Sequence, residues 1–216
     1  MNGLEMRRAV IAAALAMNET GINRGKSGNV SARLRTASFV GFLVTPTGLP
    51  YHRTAAEDIV AMTLDGEAHA TRLPSSEWRF HRDIYRARSD VEAIVHTHAP
   101  FATTLACLDR GIPPFHYMIA MAGGRDIRCA PYATFGTQEL SDHAVAALID
   151  RKACLLAHHG MIAVEGSLER ALALAVEVET LAEMYWRALQ VGEPTWLPPD
   201  EMDRVLEKFR TYGQPV

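Results

Sequence analysis

His96-Thr97-His98 closes an apolar run, Val91 to Thr97, that reads as a strand. Alternate strand residues face the same way, so both imidazoles can converge on one point. Two neutral imidazoles at that spacing suit a divalent metal, and Zn²⁺ needs only one or two further ligands. Taken alone, such a pair serves equally well to cap a strand with hydrogen bonds. His158-His159-Gly160 follows a second apolar run, Cys154 to Ala157. Adjacent strand residues point to opposite faces, so at most one of these two shares the first pair's site, and spacing does not say which. Two His-bearing strand ends in one α/β domain favour a three-His metal site, because ligands collect at the carboxyl edges of such sheets.

Glu77 is a third element. It sits behind Ser75 and Ser76 at the start of a helix, where the dipole favours an anion. Beside three imidazoles it could complete a tetrahedral zinc site or act as a base. Small polar turns recur at Ser27-Gly28-Asn29, Thr47-Gly48 and Ser75-Ser76. Their amides and hydroxyls can form a neutral cradle for phosphate. HEXXH and the Walker A and GxGxxG fingerprints are absent, so neither a common metalloprotease nor a nucleotide enzyme is indicated.

These residues need rigid elements to hold them. Ala9 to Met17 reads as a first helix rather than a signal segment, and Val30 to Leu34 and Phe39 to Thr45 read as strands. Thr54 to Glu57 reads as a capping box opening a short helix, and Ile59 to Leu64 as a strand. A helix runs from Ser75 to about Ser89, and Pro100 opens another. Tyr117 to Ala120 and Ile127 to Ala130 read as extended, Leu140 to Ile149 as helical and Met161 to Val164 as a strand. The long helix Ser167 to Leu189 and the short Asp200 to Phe209 complete the chain. Interleaved helices and strands define one α/β domain over residues 1–216, with a central sheet covered by helices.

At 216 residues, 48% apolar and 22% charged, the chain can bury a sizeable core. A net charge of −3 gives no field to draw in nucleic acid or an anionic membrane. The longest apolar stretch is too short to span a bilayer. Three scattered cysteines, Cys107, Cys129 and Cys154, suit a reducing cytosol, so a cytoplasmic location is expected. Only three lysines are present, Lys26, Lys152 and Lys208.

As an ordered set, Gly28-Asn29-Val30-Ser31, Val44-Thr45-Pro46-Thr47-Gly48, Pro74 to His81, His96-Thr97-His98-Ala99, His116 to Ala120, Cys129 to Thr137 and His158-His159-Gly160 resemble the class II aldolase/adducin family. So does the tail, Leu206 to Gly213. The resemblance implies an α/β fold with a largely antiparallel central sheet flanked by helices, and a mobile tail from about residue 199. It implies one zinc per subunit on Glu77, His96, His98 and His159. Gly28, Asn29, Thr47, Gly48, Ser75 and Ser76 would hold a substrate phosphate. Phe135 would face the site, Tyr212 would close over it, and Tyr117 would come from a neighbouring subunit of a homotetramer with active sites between subunits. Lys26 departs from the pattern, standing where a small hydroxyl residue is expected.

The reaction so implied is reversible cleavage of a ketose 1-phosphate, such as L-fuculose 1-phosphate, to dihydroxyacetone phosphate and a short aldehyde such as L-lactaldehyde. Zinc would hold the enediolate charge, Glu77 would move the proton at the nucleophilic carbon and Tyr117 would serve the aldehyde oxygen. No Schiff-base lysine is needed. The same fold could host a pentulose-phosphate 4-epimerase, a sugar-phosphate dehydratase, a 5-deoxyribulose phosphate aldolase or a non-catalytic adducin-like module. A zinc hydrolase fits less well, because the phosphate-type turns would then have no role.

Overall fold

The alternation of apolar runs and helical stretches resolves into one eight-stranded sheet with helices on both faces. The computed structural model describes residues 3–211. The strands are β1 (Asn29–Arg35), β2 (Val40–Val44), β3 (Val60–Thr63), β4 (Ala68–His69), β5 (Ala93–Thr97), β6 (Arg128–Ala130), β7 (Ala153–Leu156) and β8 (Gly160–Glu165). They lie in the order β4-β3-β2-β1-β5-β8-β7-β6. Every pairing is antiparallel except β6 with β7.

Most strands bury both faces, which is why they read as unbroken apolar runs rather than alternating ones. Val30, Ala32, Val95, Leu155 and Met161 join one core, where α1 (Gly3–Glu19), α3 (Pro100–Ala106) and α5 (Leu168–Val191) pack. Phe42, Val44, Ile94, Leu156 and Ile162 join the other, under α2 (Trp78–Ala87) and α4 (Gln138–Ala147). On α1 the buried set Val10, Ala13, Ala14 and Met17 follows the helical repeat. The last helix, α6 (Pro199–Phe209), seats Met202 fully buried in the first core. Tyr212 lies outside the described residues.

Topology decides where the chemistry can gather. β5 and β7 both run antiparallel to β8 between them, so they point the same way and end at one edge of the sheet. β1 begins at that edge, with Asn29 opposite His96, and β2 ends there, with Val44 opposite Ser31.

Two local expectations give way. Tyr117 to Ala120 is not extended but part of a 3-10 helix, Tyr117–Ala122. Its Met and Ala residues carry no strand preference, the His116 ring accepts from the Met118 N–H at 3.3 Å, and Gly123 ends it in the left-handed region. Thr54 does not cap a helix; it ends the 3-10 turn Tyr51–Arg53. The reciprocal bond falls one residue later, where the Ala55 N–H donates to Asp58 Oδ2 at 2.9 Å.

Candidate metal centre

His96, the penultimate residue of β5, is fully buried, and His98 follows on the same side of the chain. His96 Nδ1 lies 2.9 Å from the Met161 carbonyl. A carbonyl only accepts, so Nδ1 carries the proton and Nε2 presents a lone pair to the site. Between β7 and β8 the chain turns through residues 157–159. His158 takes a left-handed φ of 54° there, its side chain half exposed. His159 then points inward, its ring centroid 4.9 Å from those of both His96 and His98. Gly160 permits the turn, since a Cβ there would meet the Thr97 carbonyl at 2.5 Å.

Glu77 arrives from the other direction. Its segment is stitched to the end of β2 by the Pro46–Pro74 bridge and by the Ser75 N–H donating to the Thr45 carbonyl at 3.0 Å. It occupies the N-cap position of α2, one residue ahead of the helix, and is buried. Glu77 Oε2 lies 3.1 Å from His96 Nε2 and accepts from Asn29 Nδ2 at 3.0 Å. Glu77 Oε1 lies 3.1 Å from His159 Nε2 but has no partner in hydrogen-bonding geometry.

One donor atom from each of Glu77, His96, His98 and His159 lies within 4.8 Å of the other three. His96 Nε2 and His98 Nε2 face each other at 3.2 Å. A proton on His98 Nε2 can bridge that pair, but the buried Glu77 Oε1 stays unsatisfied, and a cation among the four donors would satisfy it. The separations also match the edges of a tetrahedron of ligands at about 2.0–2.2 Å, roughly 3.3 Å long. The residues present therefore fit a divalent metal ion. Burial, with the neighbouring His96 and His159 rings adding to it, pushes His98 down to about 4, so its ring is neutral near pH 7. Burial alone would raise the Glu77 carboxyl, but the His96 and His159 rings outweigh it and hold it well below the usual carboxylate range.

A cavity of about 310 Å³ opens beside this quartet, walled by Ser27, Ser76, Tyr132, Ala133, Phe135 and His158 together with Glu77, His98 and His159. Gly28 lies against the end of β5, where a Cβ would meet the His96 carbonyl at 2.5 Å. Lys26 Nζ donates to the Gly48 carbonyl at 2.8 Å, tying the turn that bears Thr47 and Gly48 to the loop that carries Ser27. The Asn29 side chain is committed to Glu77 and His81. Tyr117 does not line this cavity; half exposed, it lines a separate groove of about 770 Å³ against α6. Spacing leaves His158 open beside His159, whereas Tyr132 and His81 are not singled out for the site by sequence. Only the buried polar alternation Asn29, Ser31, Arg33 could have signalled the last.

The Class II Aldolase and Adducin N-terminal domain family matches residues 8–186, and the chain belongs to that family. It is 58% identical over 210 residues to the 5-methylthioribulose-1-phosphate/5-deoxyribulose-1-phosphate aldolase of Rhodospirillum rubrum, covering 97% of this chain and 93% of that one. It is 50% identical to the L-fuculose phosphate aldolase of Escherichia coli K12, covering 97% and 96%. A solved structure of an L-fuculose 1-phosphate aldolase superposes with a TM-score of 0.91 at 40% identity, over 95% of this chain and 96% of that one.

Proposed function

We propose that the protein is a zinc-dependent aldolase, cleaving a ketose 1-phosphate with a short deoxygenated tail to dihydroxyacetone phosphate and an aldehyde. The observation that carries this is the Glu77, His96, His98 and His159 quartet with its orphaned carboxylate oxygen, in a chain whose relatives are sugar-phosphate aldolases. Three tails are supported. L-fuculose 1-phosphate fits the solved relative, and 5-deoxy- or 5-methylthioribulose 1-phosphate fits the 58% identical one. All three end in a carbon without a hydroxyl, which suits the aromatic wall of Tyr132 and Phe135.

When bound, the metal ion supplies Lewis-acid stabilisation of negative charge beside the breaking carbon–carbon bond. The chain's own groups do the rest. The turns holding Gly28, Asn29, Thr47, Gly48, Ser75 and Ser76 grip the phosphate, Asn29 through its backbone because its side chain is already bonded. Glu77, ionised and buried, moves the proton at the carbon that keeps the electron pair. Tyr117, turned away from its own subunit's metal centre, serves the aldehyde oxygen in a neighbouring subunit of a homotetramer.

Lys26 gives this cradle a cation. Lys26→Ser is expected to raise KM about threefold to tenfold with kcat little changed, because the lost contact is made equally in ground and transition states. The increase should shrink at high salt, where an exposed ammonium is already screened. A fall in kcat at unchanged KM would place Lys26 in the chemistry instead. The overall assignment is tested by a coupled assay for dihydroxyacetone phosphate across the three ketose 1-phosphates, with and without chelator. Release that chelation leaves intact, or isomerised sugar phosphate with no free aldehyde, would end the aldolase assignment.

A further inference from the structure

Beneath the metal centre, β1 and α2 meet through a continuous buried polar ladder that no motif accounts for. Asn29, Ser31 and Arg33 alternate along β1 and share a face; opposite them stand Glu77 at the N-cap of α2, His81 and Tyr85 within it and Arg88 at its C-cap, three or four residues apart. Two strand residues advance about 6.8 Å and four helix residues about 6.0 Å, so the two series stay in step. Asn29 Nδ2 donates to Glu77 Oε2 at 3.0 Å, and Asn29 Oδ1 lies 2.5 Å from His81 Nε2. Ser31 Oγ lies 2.7 Å from His81 Nδ1 and 2.8 Å from the Tyr85 hydroxyl. Arg33 donates to the Tyr85 and Arg88 carbonyls, both at 2.8 Å, closing the far end of the helix. Asn29, Ser31, Arg33, Glu77, His81 and Tyr85 are all buried.

The ladder has one consistent direction. A carboxylate only accepts, so Asn29 presents its NH₂ to Glu77 and its oxygen to His81. His81 Nε2 must then carry the proton and Nδ1 must accept from the Ser31 hydroxyl, whose oxygen accepts from Tyr85. Reversing any link sets two donors or two acceptors against each other away from water, at the cost of an unmade buried hydrogen bond. Burial, with His96 nearby, pushes His81 down to about 3, so the ring is neutral as this pattern requires. Glu77 meanwhile makes no side-chain bond within its own helix. Its orientation is set from β1.

We propose that His81 is a positioning residue: acting through Asn29, it fixes the Glu77 carboxylate against the three imidazoles and thereby sets the affinity of the centre for its metal. This rests on the metal-site assignment above. The test titrates Zn²⁺ into the full-length, metal-free protein against a chromophoric chelator, comparing wild type with His81→Gln, His81→Asn and His81→Phe. Gln puts an amide nitrogen where Nε2 stands, whereas Asn puts one where Nδ1 stands. His81→Gln should stay near wild type, while His81→Asn and His81→Phe should bind about 10–100-fold more weakly. A residue that merely fills space would not separate Gln from Asn. Long-range ¹H–¹⁵N correlations on the metal-free wild type should show His81 as the neutral Nε2–H tautomer, which keeps the proposal testable even if a variant fails to fold. An Nδ1–H tautomer, or equal affinities for all three variants and wild type, overturns it. A wild-type chain that takes up no zinc removes the metal assignment and this proposal together; a binding wild type with indifferent variants removes the proposal alone.

Discussion

Glu77→Gln is expected to lower kcat by about a thousandfold, near the middle of the range for losing a general acid–base group, with the fold intact. Gln is nearly isosteric, and its oxygen can still accept from Asn29 Nδ2 at the position Oε2 occupies. What it loses is the charge facing His96 and His159 and any ability to carry a proton. KM should change little, since the phosphate turns are untouched. The measurement is steady-state dihydroxyacetone phosphate release alongside metal content. Turnover within tenfold of wild type at full metal loading would take Glu77 out of proton transfer.

That Glu77 matters was legible only in company. A carboxylate behind two serines at a helix start is ordinary, and its burial depends on contacts 48 and 82 residues away in the chain, to Asn29 and His159. The three-His convergence was more nearly written into the sequence, because period 2 on β5 places His96 and His98 together without any knowledge of the fold. Their meeting with His159 needed the strand order, which puts β8 between two strands ending at one edge. Pairing order is set by packing across the whole sheet, and no local pattern encodes it. The strands themselves were visible as apolar runs because helices cover both faces. The 117–122 turn was misread because a short apolar run such as Tyr117 to Ala120 does not by its pattern separate an extended segment from a tight helix. His81 escaped notice for the opposite reason. A lone histidine on an apolar helix face looks like core until its strand partners are in view.

The pair His158-His159 poses the sharpest contrast, since sequence spacing left the choice between them open. His159→Ala is expected to weaken zinc binding by more than the roughly 10–100-fold typical of a change outside the ligand set, and to abolish turnover at ordinary metal concentrations. Its ring stands equidistant from His96 and His98, and its loss removes the ring nitrogen that faces Glu77 Oε1 at 3.1 Å. His158→Asn should keep both metal and fold. The imidazole there is half exposed, 3.7 Å from Asp109 and edge-on to Tyr132 at 6.0 Å, outside the quartet. Asn is chosen over Ala because the backbone at 158 is left-handed, a conformation Asn tolerates and Ala does not. Because His158 lines the cavity beside Tyr132 and Phe135, any kinetic effect should fall on kcat/KM among ketose tails rather than on metal content. Zinc titration and tail-by-tail kinetics on the two variants read these effects separately. Metal lost from His158→Asn but retained by His159→Ala would mean that the turn between β7 and β8 presents the other ring, and the quartet would have to be redrawn.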